Sequence, residues 1–259
     1  MITCQKPANK FGENCIKNCV LTLQITIQNM LHLIRAATIL CFISMAVMFS
    51  ACGASSAEQQ TNKRTEKKPP VQIVSDKPKI VAFGDSLTAG FGLAEKESYP
   101  YLLQERLKAD GYNYEVINAG VSGETSLGGL ERIDWVLEQE NVQILVLELG
   151  ANDLLRGLPV AKMKDNLGAI IKRAQAKNVA VLMCGMLAPP TMGAQYQREY
   201  IMTFPDLASE YKVEFLPFIL DGIALNPQLN QGDGIHPNAE GAKVLTANVY
   251  KGLQPLLKK

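Results

Sequence analysis

From Lys79 onward, short apolar runs of strand length alternate with stretches that carry apolar side chains at helical spacing. The runs are residues 80–83, 114–117, 144–149, 179–183 and, less regularly, 213–216. Strands that alternate with helices pair in parallel through right-handed crossovers. The sequence therefore predicts an α/β fold, a three-layer α/β/α sandwich around a parallel sheet of about five strands.

Small and polar residues follow the strand-like runs at their carboxyl ends. The clusters are Gly84-Asp85-Ser86, Asn118-Ala119-Gly120-Val121-Ser122-Gly123, Gly150-Ala151-Asn152-Asp153 and, after the last run, Gly232-Asp233-Gly234-Ile235-His236-Pro237-Asn238. In a parallel sheet the carboxyl ends of the strands share one edge. We therefore expect these clusters to meet at a single site.

Together, these clusters contain the groups that acyl transfer needs. Ser86 requires a base to become nucleophilic at neutral pH, and His236 is the only histidine after residue 52. Asp233 precedes it by three residues, a spacing that lets the carboxylate hold one ring nitrogen and leave the other for the serine. The oxyanion donors available are the backbone N–H groups of Ser86 and Gly123 and the side-chain amide of Asn152.

The same four blocks resemble the signature blocks of the SGNH (GDSL) hydrolase family, and the resemblance spans residues 79–258. Within that family the chain is most similar to the bacterial esterase, thioesterase and lysophospholipase (arylesterase) type. The resemblance implies an SGNH, flavodoxin-like fold, with Ser86, Gly123, Asn152 and His236 as the named residues and Asp233 completing a triad. Gly120 is a minor rival to Gly123 as an oxyanion donor.

Other side chains near these blocks receive secondary roles. Asp85 and Asp153 are expected to organise their loops by hydrogen bonds. Leu154 and Leu155, after the Asn152 block, and Pro189, in an apolar proline-bearing loop, are candidate substrate contacts beside an acyl pocket. The alternative for these three is ordinary loop packing.

The predicted function is that of a serine esterase acting through an acyl-enzyme on carboxylic esters, which include acyl esters, lysophospholipids and thioesters. It needs no metal and no organic cofactor. The formal net charge is +1, without the concentrated basic surface that nucleic acid requires. The alternatives are a carbohydrate O-acetyl esterase and a catalytically silent, surface-tethered binding lipoprotein.

The first 78 residues read as targeting and linker sequence. Arg35 is followed by an apolar stretch at 36–51 and then by Cys52, the layout of a secretory signal with a small-small-Cys ending that resembles a bacterial lipobox. Residues 1–52 are therefore an N-terminal extension with a signal and lipidation site at Cys52, residues 53–78 a flexible tether, and residues 79–259 the hydrolase domain. Met30 is the better signal start, so residues 1–29 are an alternative upstream extension.

This arrangement predicts an exported, periplasmic lipoprotein held at a membrane. The alternatives are a soluble periplasmic or secreted form and an uncleaved signal anchor.

Several residues are expected to be structural. Cys184, within an apolar run, is predicted to be a buried, unpaired core residue. Trp135, Met183 and Met186 are likewise predicted to fill the core.

Overall fold

The computed structural model describes residues 76–259. The predicted signal and lipidation segment at 1–52, with Cys52, and most of the predicted tether at 53–78 lie outside the described residues. Between residues 76 and 259, the helices are all too short or too polar to cross a membrane.

Five strands form one parallel sheet in the order β2-β1-β3-β4-β5. They are β1 (Lys79–Gly84), β2 (Glu115–Gly120), β3 (Val142–Glu148), β4 (Ala180–Cys184) and β5 (Glu214–Leu216). The chain goes from β1 to β2 on one side and then crosses to β3 on the other, so the strand order reverses at β1. Open α/β sheets place their sites at the carboxyl edge beside such a reversal. The predicted five-stranded α/β fold is confirmed.

Helices connect and flank these strands. They are α1 (Ser86–Ala89), α2 (Tyr99–Ala109), α3 (Ser126–Leu137), α4 (Ala151–Leu155), α5 (Val160–Ala176), α6 (Ala194–Tyr211) and α7 (Ala239–Leu253), with 3₁₀ turns at Glu95–Glu97, Pro190–Met192 and Gln254–Leu256. Helix α2 packs against α7, while α5 packs against both α3 and α6. The C-terminal helix α7 is bounded on both sides, because Asn238 caps its start and Pro255 follows its end.

The hydrophobic core is centred on the middle strands. Residues 80–83 of β1 are fully buried, as are nearly all those of 144–147 in β3. Strands covered by helices on both faces read as continuous apolar runs instead of alternating ones. This explains why these two strands are the clearest in the sequence, while the edge strands β2 and β5 are only partly buried.

Among the residues predicted to be in the core, Cys184, Met183 and Met186 are buried there. The prediction for Trp135 is wrong, since its side chain is 69% exposed. Ile133 and Val136 occupy the inward face of α3, and residue 135 points to the opposite side.

Gly120 ends β2 where α1 passes directly over the strand. A Cβ at this position would lie 2.1 Å from the backbone nitrogen of Ala89. That separation is far inside van der Waals contact with backbone atoms, so the close approach of β2 and α1 requires glycine. Because α1 begins at Ser86, this contact also fixes the position of the candidate nucleophile.

We predict that Gly120→Ala lowers the free energy of unfolding by about 1–3 kcal/mol, because the added methyl group forces α1 away from β2. Gly232→Ala is the matched control, since a Cβ there would meet no atom within 4 Å. Urea denaturation of both variants measures the difference. Equal stabilities for Gly120→Ala and the unsubstituted chain would contradict the close-packing interpretation.

Candidate active site

Ser86 is the first residue of α1 and comes directly after β1 and Asp85. Asp85 caps this short helix, because its Oδ1 accepts a hydrogen bond of 3.1 Å from the backbone N–H of Leu87. The Asp85 side chain is almost completely buried, and this burial raises its pKa to about 6 against the opposing effect of its hydrogen bonds. Ser86 itself is only half-buried, so its hydroxyl sits at the accessible edge of the sheet.

The candidate nucleophile, base and acid come together at this edge. His236 Nε2 lies 2.9 Å from Ser86 Oγ, and His236 Nδ1 lies 2.6 Å from Asp233 Oδ2. The ring of Phe91 lies against the imidazole with a centroid separation of 4.7 Å. One ring nitrogen thus faces the hydroxyl while the other is held by a carboxylate, which is the arrangement that an imidazole base needs.

The loop around Asp233 holds this carboxylate in place. Its Oδ1 accepts backbone hydrogen bonds of 3.0 Å from both Ile235 and His236. Gly234 has φ +75°, a left-handed conformation that turns the chain back between acid and base. The hydrogen bond from the His236 side chain, followed by those from the two backbone N–H groups, lowers the pKa of Asp233 to about 2, so the group is ionised at neutral pH.

The predicted oxyanion donors are linked to the same cluster. Asn152 Nδ2 donates a hydrogen bond of 2.9 Å to Asp85 Oδ2, beside the nucleophile. The carbonyl of Gly123 accepts one of 2.6 Å from Arg156, four residues after Asn152. The amide of Gly120 already donates to Asn118 Oδ1 at 3.0 Å, which leaves Gly123 as the better candidate donor from this loop.

Asp153 has the contacts of a loop-organising residue. Its Oδ2 accepts from the backbone N–H of Ser126 at 2.8 Å, and its Oδ1 accepts from the Ser126 hydroxyl at 2.7 Å. These two bonds tie α4, which carries Asn152, to the start of α3.

The three candidate substrate contacts differ in exposure. Leu154 is buried at 8% exposure and belongs to the hydrophobic core. Leu155 is 63% exposed, and Pro189 is also exposed. Of the three, only Leu155 and Pro189 present surface to a ligand.

Sequence reasoning gave no role to Arg132, which braces the site from α3. Its guanidinium donates to the carbonyl of Ala119 at 2.7 Å, forms an ion pair with Glu124 and lies over the ring of Phe83. These partners lie on three separate segments, so no local motif identifies the residue. The partial burial that marks Arg132, whose side chain is 21% exposed, is visible only in the structure.

The chain is similar to known proteins of one hydrolase family. Residues 82–244 match the model of the GDSL-like Lipase/Acylhydrolase family. The chain is 38% identical to esterase TesA of Pseudomonas aeruginosa over 178 residues, which cover 69% of this chain and 89% of that protein. It is 34% identical to thioesterase 1/protease 1/lysophospholipase L1 of Escherichia coli K12, covering 69% of this chain and 84% of that protein.

Among solved structures, the esterase EstA from Pseudoalteromonas sp., in a form inhibited by monoethylphosphonate, superposes with a TM-score of 0.65. The two are 35% identical, and the match covers 70% of this chain and 98% of EstA. The family resemblance expected from the four blocks is therefore confirmed. The chain belongs to the GDSL-like lipase/acylhydrolase (SGNH) family and is a carboxylic ester hydrolase.

Proposed function

We propose that the chain hydrolyses acyl esters through a covalent acyl-enzyme on Ser86, with His236 as general base and acid and Asp233 as the group that orients the imidazole. The observation that carries this proposal is the continuous contact from Ser86 Oγ through the His236 ring to Asp233, at 2.9 Å and 2.6 Å. The names of the relatives, esterase and thioesterase/lysophospholipase, support the same reaction class.

In the first half-reaction, Ser86 Oγ attacks the ester carbonyl carbon while its proton moves to His236 Nε2. The tetrahedral intermediate collapses, the bond to the leaving oxygen or sulfur breaks, and His236 returns the proton to the leaving group. Water then attacks the acyl-enzyme and gives a proton to His236. That proton returns to Ser86 as the carboxylic acid leaves. The ionised Asp233 stabilises the imidazolium in both halves.

The negative charge on the tetrahedral oxygen requires donors that are already in place. The proposed donors are the backbone N–H groups of Ser86 and Gly123 and the Nδ2 group of Asn152. Removing one such donor lowers kcat by about 10²–10³-fold in a comparable hydrolase.

The surroundings of the triad favour an acyl chain over a sugar. Phe91 packs against the His236 ring, Ile235 directly precedes His236, Leu155 ends α4 and Leu187 follows β4, and each is about half exposed or more. Exposed apolar side chains near a reactive group are typical of a site for apolar ligands. This favours esters of short and medium fatty acids, lysophospholipids or thioesters over acetylated carbohydrate.

We predict that the full-length chain hydrolyses medium-chain p-nitrophenyl esters faster than it deacetylates acetyl-xylan. Ser86→Ala should reduce ester turnover by at least about 10³-fold without altering the circular dichroism spectrum, because the nucleophile is lost while the fold remains. A fluorophosphonate probe should label the unsubstituted chain but not this variant.

Turnover retained in Ser86→Ala would contradict the nucleophile assignment, and a preference for acetyl-xylan would favour the carbohydrate O-acetyl esterase. A chain that neither turns over esters nor takes up the probe would be the silent binding protein.

We also predict that kcat/KM falls as the pH drops below neutral, because the imidazole can accept the Ser86 proton only in its neutral form. Asp233, with a pKa of about 2, stays ionised throughout this range and does not contribute to the fall. Asp85, with a pKa of about 6, titrates in the same range. The profile is therefore measured in Asp85→Asn as well. An acid limb that persists in this variant, at a lower absolute rate, identifies the histidine; its disappearance assigns the limb to Asp85.

We further propose that the protein is exported and anchored to a membrane as a lipoprotein through Cys52. The support is sequence alone: Arg35, the uncharged apolar stretch at 36–51 and the small residues before Cys52. The polar, proline-bearing residues 53–78 then act as a tether that keeps the hydrolase close to lipid substrates.

Cys52→Ser should move the protein from the membrane fraction to the soluble fraction, because the thiol that carries the lipid is absent. Cell fractionation followed by immunoblotting measures this, and Cys184→Ser, at a buried cysteine of the hydrolase domain, is the control. Unchanged membrane partitioning of Cys52→Ser would instead support an uncleaved signal anchor.

A further inference from the structure

Two buried carboxyl groups lie next to each other beneath the nucleophile. Glu148, the last residue of β3, is completely buried, and Asp85 is 1% exposed. Glu148 Oε2 accepts hydrogen bonds from the backbone N–H of Asp85 at 3.2 Å and from the Thr88 hydroxyl at 2.8 Å. Asp85 in turn accepts from Asn152. A continuous path therefore runs from Glu148 through Asp85 to a proposed oxyanion donor.

Two ionised carboxylates at this depth would be strongly unfavourable. No lysine or arginine in residues 76–259 forms an ion pair with either group. The titratable side chains that face the pair are Tyr99, Cys184, Tyr200 and His236. When like charges share a buried site, one of the two groups retains a proton.

The surroundings place that proton on Glu148. Burial, followed by the charge of Asp85, raises the pKa of Glu148 well above its usual value. The interaction between the two side chains lowers the pKa of Asp85 and raises that of Glu148. Glu148 Oε1 is buried and accepts no hydrogen bond from any donor among the described residues, so it is the oxygen that can carry the proton and donate to Asp85.

The location of the proton decides which way the Asn152 amide can face. An ionised Asp85 offers only acceptor oxygens, so Asn152 must present its NH₂ group and not its carbonyl oxygen. One N–H then goes to Asp85 and the other remains for the oxyanion. A proton on Asp85 Oδ2 would allow the amide to flip and present oxygen at that position, which would remove a donor from the site.

We propose that Glu148 is a positioning residue: a neutral carboxylic acid that donates to the Asp85 carboxylate and thereby holds Asn152 with its N–H directed at the oxyanion. This inference rests on the proposed ester hydrolysis at Ser86. Glu148 touches no reacting atom and acts entirely through Asp85 and Asn152.

The first test is kinetic and uses the full-length chain with a medium-chain ester. Glu148→Ala and Asp85→Asn should each lower kcat by about 10²-fold with little change in KM, because the oxyanion forms only in the transition state. Glu148→Gln should recover most of the lost rate, to within about threefold of the unsubstituted chain, because a neutral amide also donates to Asp85. Tyr99→Phe is the matched control, since it removes only the hydroxyl that contacts Thr88 at 3.1 Å.

The second test is spectroscopic and does not depend on turnover. At pH 8, infrared spectroscopy should show the C=O stretch of a buried carboxylic acid, and Glu148→Gln should abolish this band while Tyr99→Phe retains it. Thermal unfolding of each variant confirms that the kinetic comparison is made on folded protein.

The outcomes separate this inference from the proposed function. If the unsubstituted chain hydrolyses the ester and Ser86→Ala does not, the proposed function holds regardless of the results for the Glu148 variants. The positioning role is overturned if Glu148→Gln loses as much activity as Glu148→Ala, if folded Glu148→Ala retains its full kcat, or if the acid band is absent or survives in Glu148→Gln. If the unsubstituted chain shows no ester turnover while the infrared band is present, the proposed reaction is overturned instead.

Discussion

The contact between Ser86 and His236 joins residues 150 positions apart, and it exists only because a parallel sheet brings its loops to one edge. Neither residue is held by its immediate neighbours alone. Ser86 is fixed by β1 and by the close approach of α1 to Gly120, while His236 is fixed by a turn that ends at the Asn238 cap of α7. The packing of the sheet therefore determines the geometry of the site.

Four acidic side chains lie at this edge of the sheet, and their roles differ with their burial. Asp233 is partly exposed, stays ionised and holds the imidazole. Asp153 ties two helices together, and Asp85 sits beneath the nucleophile with Glu148. Because acidic side chains of different burial titrate differently, one small region holds both ionised acceptors and a protonated acid. Within residues 76–259, Asp85 and Glu148 therefore direct hydrogen-bond donors without an ion pair to lysine or arginine.

Much of the fold was predictable because the central strands are covered on both faces. Continuous apolar runs mark β1 and β3, and the polar blocks after the strands mark the shared edge that gathers the candidate residues. The family resemblance of these blocks is confirmed by the comparisons, while the roles of Ser86, Asp233 and His236 remain predictions. The wrong prediction for Trp135 has a physical cause. Trp135 was predicted to be buried from its residue type, yet its exposure depends on which side of a helix faces the sheet.

The sequence by itself determined the α/β class, the parallel sheet, the family and the residue types available at the carboxyl edge. These follow from local patterns, because the spacing of apolar residues and the small residues after each strand can be identified directly in the sequence. Tertiary structure alone decided that Glu148 lies beneath Asp85, that Arg132 braces the ends of two strands and that Leu155 faces solvent while its neighbour does not. Each of these depends on strand register and helix rotation, which are set by packing between segments that are distant in the sequence.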